Sequence, residues 1–182
     1  MSVPIGSATA NEKSTNRMKQ HIYVNPHYVA GYRLEQKLGS GSFASVYKAG
    51  KYSPPHNIIE SDHNNNNSSL PEAVAIKRID RSSNKITKKV LENLDLEISI
   101  LETYRHPNIV CLHQAHKSSE HFDLILEYCA GGDLQGLIRT RKLGRLSEPL
   151  ARRLMRGLTA GLAFLASQNL IHRDIKPQNL LL

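Results

Sequence analysis

The chain has 182 residues, 24 Lys and Arg against 16 Asp and Glu, and a formal net charge of +8. That length supports one domain with a hydrophobic core, no apolar run reaches the roughly 18 residues that span a bilayer, and two cysteines without a CxxC pair argue against a disulfide scaffold or zinc site and fit a reducing compartment. The positive balance could serve nucleic acid or an acidic membrane. Its dense stretches at 81–89 and 139–156 interleave with apolar positions, however, as solvated helix faces do, which leaves a modest attraction to phosphorylated or acidic partners.

Residues 1–31 are polar and lack the apolar core of a secretory signal. Their Ser, Thr and Arg17 would admit a transit peptide, but Glu12 and the missing amphipathic stripe favour a disordered tail. From Tyr32 to Leu38 apolar and polar residues alternate as in a strand. Gly39 and Gly41 interrupt it, and Phe43 to Lys48 resumes it. Residues 51–72 contain Pro54, Pro55 and four consecutive asparagines, and read as a flexible surface insertion. Loop-closure entropy grows slowly with length, so such an insertion costs the fold little.

Ala73 to Ile79 is the next strand. Val90, Leu91, Leu94, Ile98 and Leu101 then recur at helical spacing, and His106-Pro107-Asn108 stops that helix. Two further strands are expected near 109–113 and 122–128, with Gly131 and Gly132 closing the second. A short helix should cover 134–140. Ser147 is placed to cap a longer helix with Pro149 in its first turn, and Leu150, Leu154, Leu158, Leu162 and Leu165 form its apolar stripe. Five strands with one inserted helix, followed by helices, suggest an α+β chain of two lobes, a mostly antiparallel sheet and then a helical region.

Three segments carry chemistry. Gly39 to Val46 is a glycine turn between strands, and glycines let backbone N–H groups approach phosphate closely. An ordinary glycine hairpin would look the same. A dinucleotide-binding loop would lead into a helix and a Walker loop would need GK[ST], and neither occurs. Lys77 lies in the apolar strand Val74-Ala75-Ile76-Lys77, where a charge is costly unless paired. It is either on an exposed face or beneath a nucleotide, with Ala75 on the same face and Glu97 of the next helix as its natural partner. In His172-Arg173-Asp174-Ile175-Lys176-Pro177-Gln178-Asn179 a carboxylate, an ammonium and an amide fall within six positions of a loop. Phosphoryl transfer needs those parts: an acceptor for the hydroxyl proton, a cation on the phosphate and an oxygen ligand for magnesium.

Glycine turn, VAIK, helix glutamate and HRDIKPQN follow one another as in the protein-kinase superfamily, which the chain resembles from Tyr32 to Leu182. The segments 39–46, 86–101, 127–134 and 146–182 look like those of the autophagy-initiating Atg/ULK-type Ser/Thr kinases, although calcium/calmodulin-dependent and AMP-activated relatives share much of each. The resemblance implies a kinase-like fold with a five-stranded antiparallel N-lobe at about 32–128, a C-helix, a hinge at about 127–131 and the first helices of the C-lobe at about 132–182. It implies ATP and magnesium as cofactors, a protein Ser/Thr substrate, regulatory protein subunits, no nucleic-acid partner and a cytoplasmic location. Gly39, Ser40, Gly41 and Ser42 would lie along the phosphates, and Lys77, paired with Glu97, would hold the α- and β-phosphates. Asp174 would be the catalytic base, Lys176 would meet the γ-phosphate and Asn179 would bind magnesium. Leu126 would be the gatekeeper, the backbone of Glu127 and Cys129 would meet adenine, and Val46, Ala75 and Leu181 would sandwich it. Two departures stand out: Ala44 replaces the third loop glycine, and the DFG and activation-loop segments implied by the resemblance are not among these residues. The chain alone is therefore expected to be inactive, with a catalytically dead nucleotide- or regulator-binding module as the alternative.

Overall fold

A computed structural model describes residues 27–41, 44–52, 71–82 and 86–182. They form a six-stranded antiparallel sheet in the order β1-β2-β3-β4-β6-β5, with helices after it in the chain. The strands are β1 (Tyr28–Val29), β2 (Tyr32–Ser40), β3 (Ala44–Lys51), β4 (Ala73–Asp80), β5 (Leu112–Lys117) and β6 (His121–Glu127). Helix α1 (Lys88–Thr103) is inserted between β4 and β5, and α2 (Leu134–Arg139) and α3 (Glu148–Ser167) follow. A 3-10 turn at Pro177–Asn179 precedes the last residues.

The sheet has one strand more than the expected five, and it comes from the end of the presumed tail. Ala30 and Gly31 both have positive φ, 48° and 84°, which makes the tight two-residue turn that suits the twist of a hairpin. Tyr28 pairs with Arg33 and Val29 with Tyr32. Val29 is thereby buried, so the ordered part begins before residue 32. A two-residue strand is too short to show alternation, which is why it was not visible in the pattern. Most of the tail, and 53–70 of the Asn-rich insertion, lie outside the described residues. The base of that insertion is closed by a hydrogen bond from Lys51 N to Glu72 O at 2.9 Å.

Strand β4 is the spine of the sheet, paired with β3 on one side and β6 on the other. Its alternation sends Val74 and Ile76 to one face, where they bury against Val29, Tyr32, Ala49 and Ile125. Ile79 goes to the opposite face and packs with Leu94 and Ile98 of α1 and with Leu112, Phe122 and Leu124. Helix α1 is started by Thr87, whose Oγ1 accepts from Val90 N at 3.3 Å. Strand β5 sits about three residues later than expected. The apolar run before it turns instead, with Ile109 N bonded to His106 O, and the strand itself is a largely polar sheet edge.

The helical part meets the sheet part through the loop that follows α1. His106 stacks on Phe164 of α3 at 5.0 Å between ring centroids, and Tyr104 packs edge-on to the same ring at 6.4 Å. Gly157 and Gly161 let this loop lie against α3: a Cβ at either position would come within 3.1 Å of Asn108. Ser147 occupies the expected N-cap position of α3 but makes no capping bond, and the leucine stripe of α3 is only partly covered.

On the face of β4 away from α1, Arg78 stands directly across from Asp123 of β6. Its Nε donates to Oδ1 at 2.7 Å and a terminal nitrogen to Oδ2 at 3.2 Å. Asp123 is almost wholly buried, with its side chain 3% exposed. Removing the cation from such a pair leaves a charge in a poorly solvating place, which typically costs about 3–5 kcal/mol. Arg78→Met should therefore lower the unfolding free energy by roughly that amount, read from denaturant midpoints, whereas Lys88→Ala on the exposed α1 pair with Glu92 should change it by less than about 1 kcal/mol.

Candidate active site

The face of β4 that carries Ile79 also carries Ala75 and Lys77 toward α1. Lys77 Nζ donates to Glu97 Oε1 at 2.7 Å, so the lysine reads as the paired strand cation and not as an exposed one. Glu97, about one turn beyond Leu94 and next to Ile98, is positioned by the burial of those two residues, which anchor the helix. Val46 of β3 is the register partner of Lys77, and Leu126 of β6 is the partner of Ala75. The glycine turn lies one strand further on, with Gly39 paired to Val46 and Ser40 to Ser45. Gly41 N donates to Ala44 O at 2.7 Å, and a Cβ built on Gly39 would meet nothing within 4 Å. Among the described residues nothing crowds Gly39, which leaves its backbone open on that side. Ser42 and Phe43, at the tip of the turn, lie outside the described residues.

Past β6 the chain crosses to the helical part through residues 128–133. Both polar ends of Glu127 are engaged with Cys111: its N–H donates to Cys111 O at 2.8 Å, and its Oε2 accepts from Cys111 N at 3.2 Å. Glu127 can therefore offer a ligand its carbonyl but not its amide. Burial, with the nearby Glu127 carboxylate, pushes the Cys129 thiol up. The crossing is clamped by the end of the chain: Gly131 N donates to Leu182 O at 2.8 Å, Leu182 N to Gly132 O at 2.9 Å and Leu134 N to Leu180 O at 2.8 Å. Gly131 is required there, because a Cβ would fall 2.8 Å from Leu182 O, and Gly132 supplies φ +73°. Leu181 bridges Asp133, between the residues that make those bonds, and is 46% exposed.

The loop after α3 gathers the remaining groups around one carboxylate. Lys176 Nζ donates to Asp174 Oδ2 at 2.7 Å, and Asn179 Nδ2 donates to the same oxygen at 2.8 Å and to Asp174 O at 2.9 Å. The 3-10 turn fixes Asn179, whose N–H reaches Lys176 O. With its amide nitrogen committed to Asp174, Asn179 has its side-chain oxygen unbonded among the described residues. His172 Nδ1 accepts from Asp174 N at 3.3 Å. Arg173 takes φ +69°, a conformation that costs a non-glycine residue about 1–3 kcal/mol and commonly marks a functional turn.

Of the expected site residues, the structure joins Lys77 to Glu97, and Asp174 to Lys176 and Asn179. It sets Val46, Ala75 and Leu126 as register neighbours of that lysine strand, and ties Leu181 to the crossing beside Cys129. Sequence reasoning missed the Arg78–Asp123 pair and the Cys111–Glu127 clamp. Both depend on strand register, which periodicity alone does not fix.

Residues 32–182 match the family model described as the protein kinase domain. The chain belongs to the protein kinase family. It is 42% identical over 154 residues to the serine/threonine-protein kinase ATG1a of Arabidopsis thaliana, covering 85% of this chain and 21% of that protein. It is 41% identical over 157 residues to the human serine/threonine-protein kinase ULK3, covering 86% and 29% respectively. The serine/threonine-protein kinase ATG1 of Saccharomyces cerevisiae, S288c strain, is 39% identical over 173 residues, covering 83% of this chain and 18% of that one. The kinase chain thus spans between about a fifth and under a third of the length of these relatives.

The hydrogen bonds from Lys176 and then Asn179 hold the Asp174 carboxyl below the ordinary aspartate range. Both favour the charged form, so they persist above the ordinary pKa and are lost only as pH falls through the depressed one. Carbon NMR should show Asp174 titrating below the ordinary aspartate range. Lys176→Ala should move that midpoint upward, and Asn179→Ala should move it upward by less.

Proposed function

We propose that this kinase chain supplies the ATP-binding lobe and catalytic loop for phosphorylation of Ser or Thr hydroxyls in protein substrates. The observation that carries the reading is the Asp174 carboxylate held between Lys176 and Asn179, in a chain whose β4 lysine is already paired with Glu97. Asp174 accepts the proton of the attacking hydroxyl while Lys176, beside it, offsets charge on the phosphoryl group in flight. Lys77, oriented by Glu97, holds the α- and β-phosphates, and the open backbone at Gly39, Ser40 and Gly41 approaches them, with Ser42 assigned there by resemblance. Val46, Ala75 and Leu181 enclose the base next to Leu126, with the Glu127 carbonyl and the Cys129 backbone as its polar partners.

The residues fit a magnesium nucleotide in a particular way. Among the described residues no cluster of three or more His, Cys, Asp or Glu could hold a metal unaided. Magnesium commonly binds through one or two protein oxygens together with substrate phosphates, and Asn179 offers such an oxygen. When bound, the ion neutralises charge on the phosphates. Supported by likeness to ATG1a and ULK3, we place the chain in the Atg/ULK branch, with autophagy initiation as its process, regulatory protein subunits as partners and the cytoplasm as its site. No helix among the described residues is long and apolar enough to cross a membrane.

Lys77→Met should weaken binding of a fluorescent ATP analogue by about tenfold or more, since it removes a charge-assisted contact with phosphate. Asp174→Asn should leave that binding within about twofold. Equal binding by wild type and Lys77→Met would sink the nucleotide site. The 182-residue polypeptide itself should transfer no phosphate to a generic Ser/Thr peptide, because Asn179 supplies one metal ligand and the loss of even one electrostatic stabiliser costs about 2.7–4 kcal/mol. Robust transfer abolished by Asp174→Asn would overturn that expectation of inactivity.

A further inference from the structure

The cations of this chain are not evenly spread. Between Arg139 and Arg156 there are seven, against Glu148 as the one acid, a net of +6 in 18 residues of a chain whose total is +8. All seven are exposed. They run from the end of α2 through the connecting loop onto α3, where Arg152, Arg153 and Arg156 share the side of the helix opposite the leucine stripe. These three arginines, with Glu148 and Pro149, line a shallow, open surface depression of about 550 Å³.

A merely solvated helix face would mix its charges. Here Arg153 and Arg156 are like charges three apart and Arg152 and Arg156 four apart, spacings that destabilise a helix by a few tenths of a kcal/mol per pair. Arg152 is held by Glu148 at 2.6 Å, whereas Arg153 and Arg156 have no carboxylate partner among the described residues. For Arg153 and Arg156 no carboxylate among the described residues offsets that repulsion, the pattern expected where a surface is kept for a partner. Six of the seven cations are arginine, whose planar fork matches carboxylate and phosphate in pairs of hydrogen bonds, where lysine offers a point charge.

We infer that the α2–α3 face is a docking surface for an acidic segment of a partner protein, with carboxylates or phosphoserines seated on Arg152, Arg153 and Arg156. Positive charge also suits nucleic acid and anionic membrane, but the composition of the face tells against both. Residues 139–156 contain no Phe, Tyr or Trp. A single-stranded nucleic acid would lack aromatic stacking platforms there, and a bilayer would lack the aromatic anchors common at its interface. Leu143, 71% exposed in the loop between the two helices, offers an extended peptide one apolar contact amid the cations. This surface is separate from the nucleotide site in its residues, and the inference stands whether or not the chain transfers phosphate.

The test is fluorescence anisotropy of the full 182-residue chain with a short labelled Asp/Glu-rich peptide, with and without phosphoserine, at two salt concentrations. Binding should weaken with salt, and Arg152→Glu/Arg156→Glu should reduce it by roughly a hundredfold, about tenfold per arginine. The Lys replacements at the same two positions keep charge and fold but lose the fork. They should cost a several-fold loss for the phosphopeptide and less for the carboxylate peptide. Far-UV circular dichroism and retained binding of the ATP analogue establish that each variant is folded. Peptide affinity unchanged in the folded Glu variant would overturn the proposal. So would an absence of peptide binding accompanied by binding to phosphatidylserine vesicles or to poly-uridine RNA.

Discussion

Strand β4 has to serve two faces at once, and the rest of the molecule follows from its alternation. Successive side chains of a strand point to opposite sides of the sheet, so the run from Val74 to Ile79 cannot place Lys77 toward α1 without placing Ile76 and Arg78 away from it. The away face is sealed by the hydrophobic cluster around Tyr32 and Ile125, together with the Arg78–Asp123 pair. The near face is closed by Leu94 and Ile98, and Glu97 arrives with them. A one-residue slip of β4 would exchange the two sets, sending Lys77 into the Tyr32 cluster and breaking both ion pairs together. The register is therefore held by hydrophobic burial on two sides and by Asp123 at its own position. The pairing of Lys77 with Glu97 is a by-product of that packing.

The second constraint acts across the chain. The sheet part and helical part are joined by the loop lying on Gly157 and Gly161 of α3 and by the crossing at 128–133. The crossing depends on Gly131, where a Cβ would collide with the Leu182 backbone, and the loop on Gly157 and Gly161, where a Cβ would press on Asn108 at 3.1 Å. Glycine in a helix interior costs about 1 kcal/mol relative to alanine, so two of them one turn apart in α3 weaken that helix on its own. Their compensation is the close approach of Asn108, the stacking of His106 on Phe164 and the edge-on contact of Tyr104 with the same ring. The loop that leaves α1, and with it Glu97, is thereby braced on the helix that leads into the Asp174 loop. The two halves of the chemistry are tied through packed side chains and a shared helix.

Much of this was legible in the sequence, and the division between what was and was not has a physical basis. β4, α1 and α3 were readable because each buries a face whose period shows in the residues. The grouping of Asp174, Lys176 and Asn179 was readable because the three fall within six positions of one loop, and the Lys77–Glu97 pair because Glu97 lies on the helix that follows the lysine strand. Hydrophobic patterning could not give β1, whose two residues are held by the positive-φ turn at Ala30 and Gly31, nor the true position of β5. A sheet-edge strand such as 112–117 buries Leu112 but exposes much of the rest, so the apolar run just before it was the stronger signal and the misleading one. The Arg78–Asp123 pair needs residues 45 apart to be opposed in register, and only the assembled sheet contains that information.

The same separation applies to charge. In the sequence, the basic stretch at 139–156 was indistinguishable from an ordinary solvated helix face, because composition does not say which side of a helix each cation occupies. The fold adds two facts that change its weight: the arginines of α3 gather on one side, and the acid that could have neutralised them is a single Glu148 already engaged with Arg152. The contrast with Lys77 is instructive. There the fold delivers a partner, and the charge is used locally. On α3 none of the described residues pairs with Arg153 or Arg156, so their field extends outward over about a Debye length, roughly 8–10 Å in physiological salt, and acts on whatever approaches. Paired cations position chemistry inside the molecule, whereas unpaired ones of a single sign can only recognise something outside it.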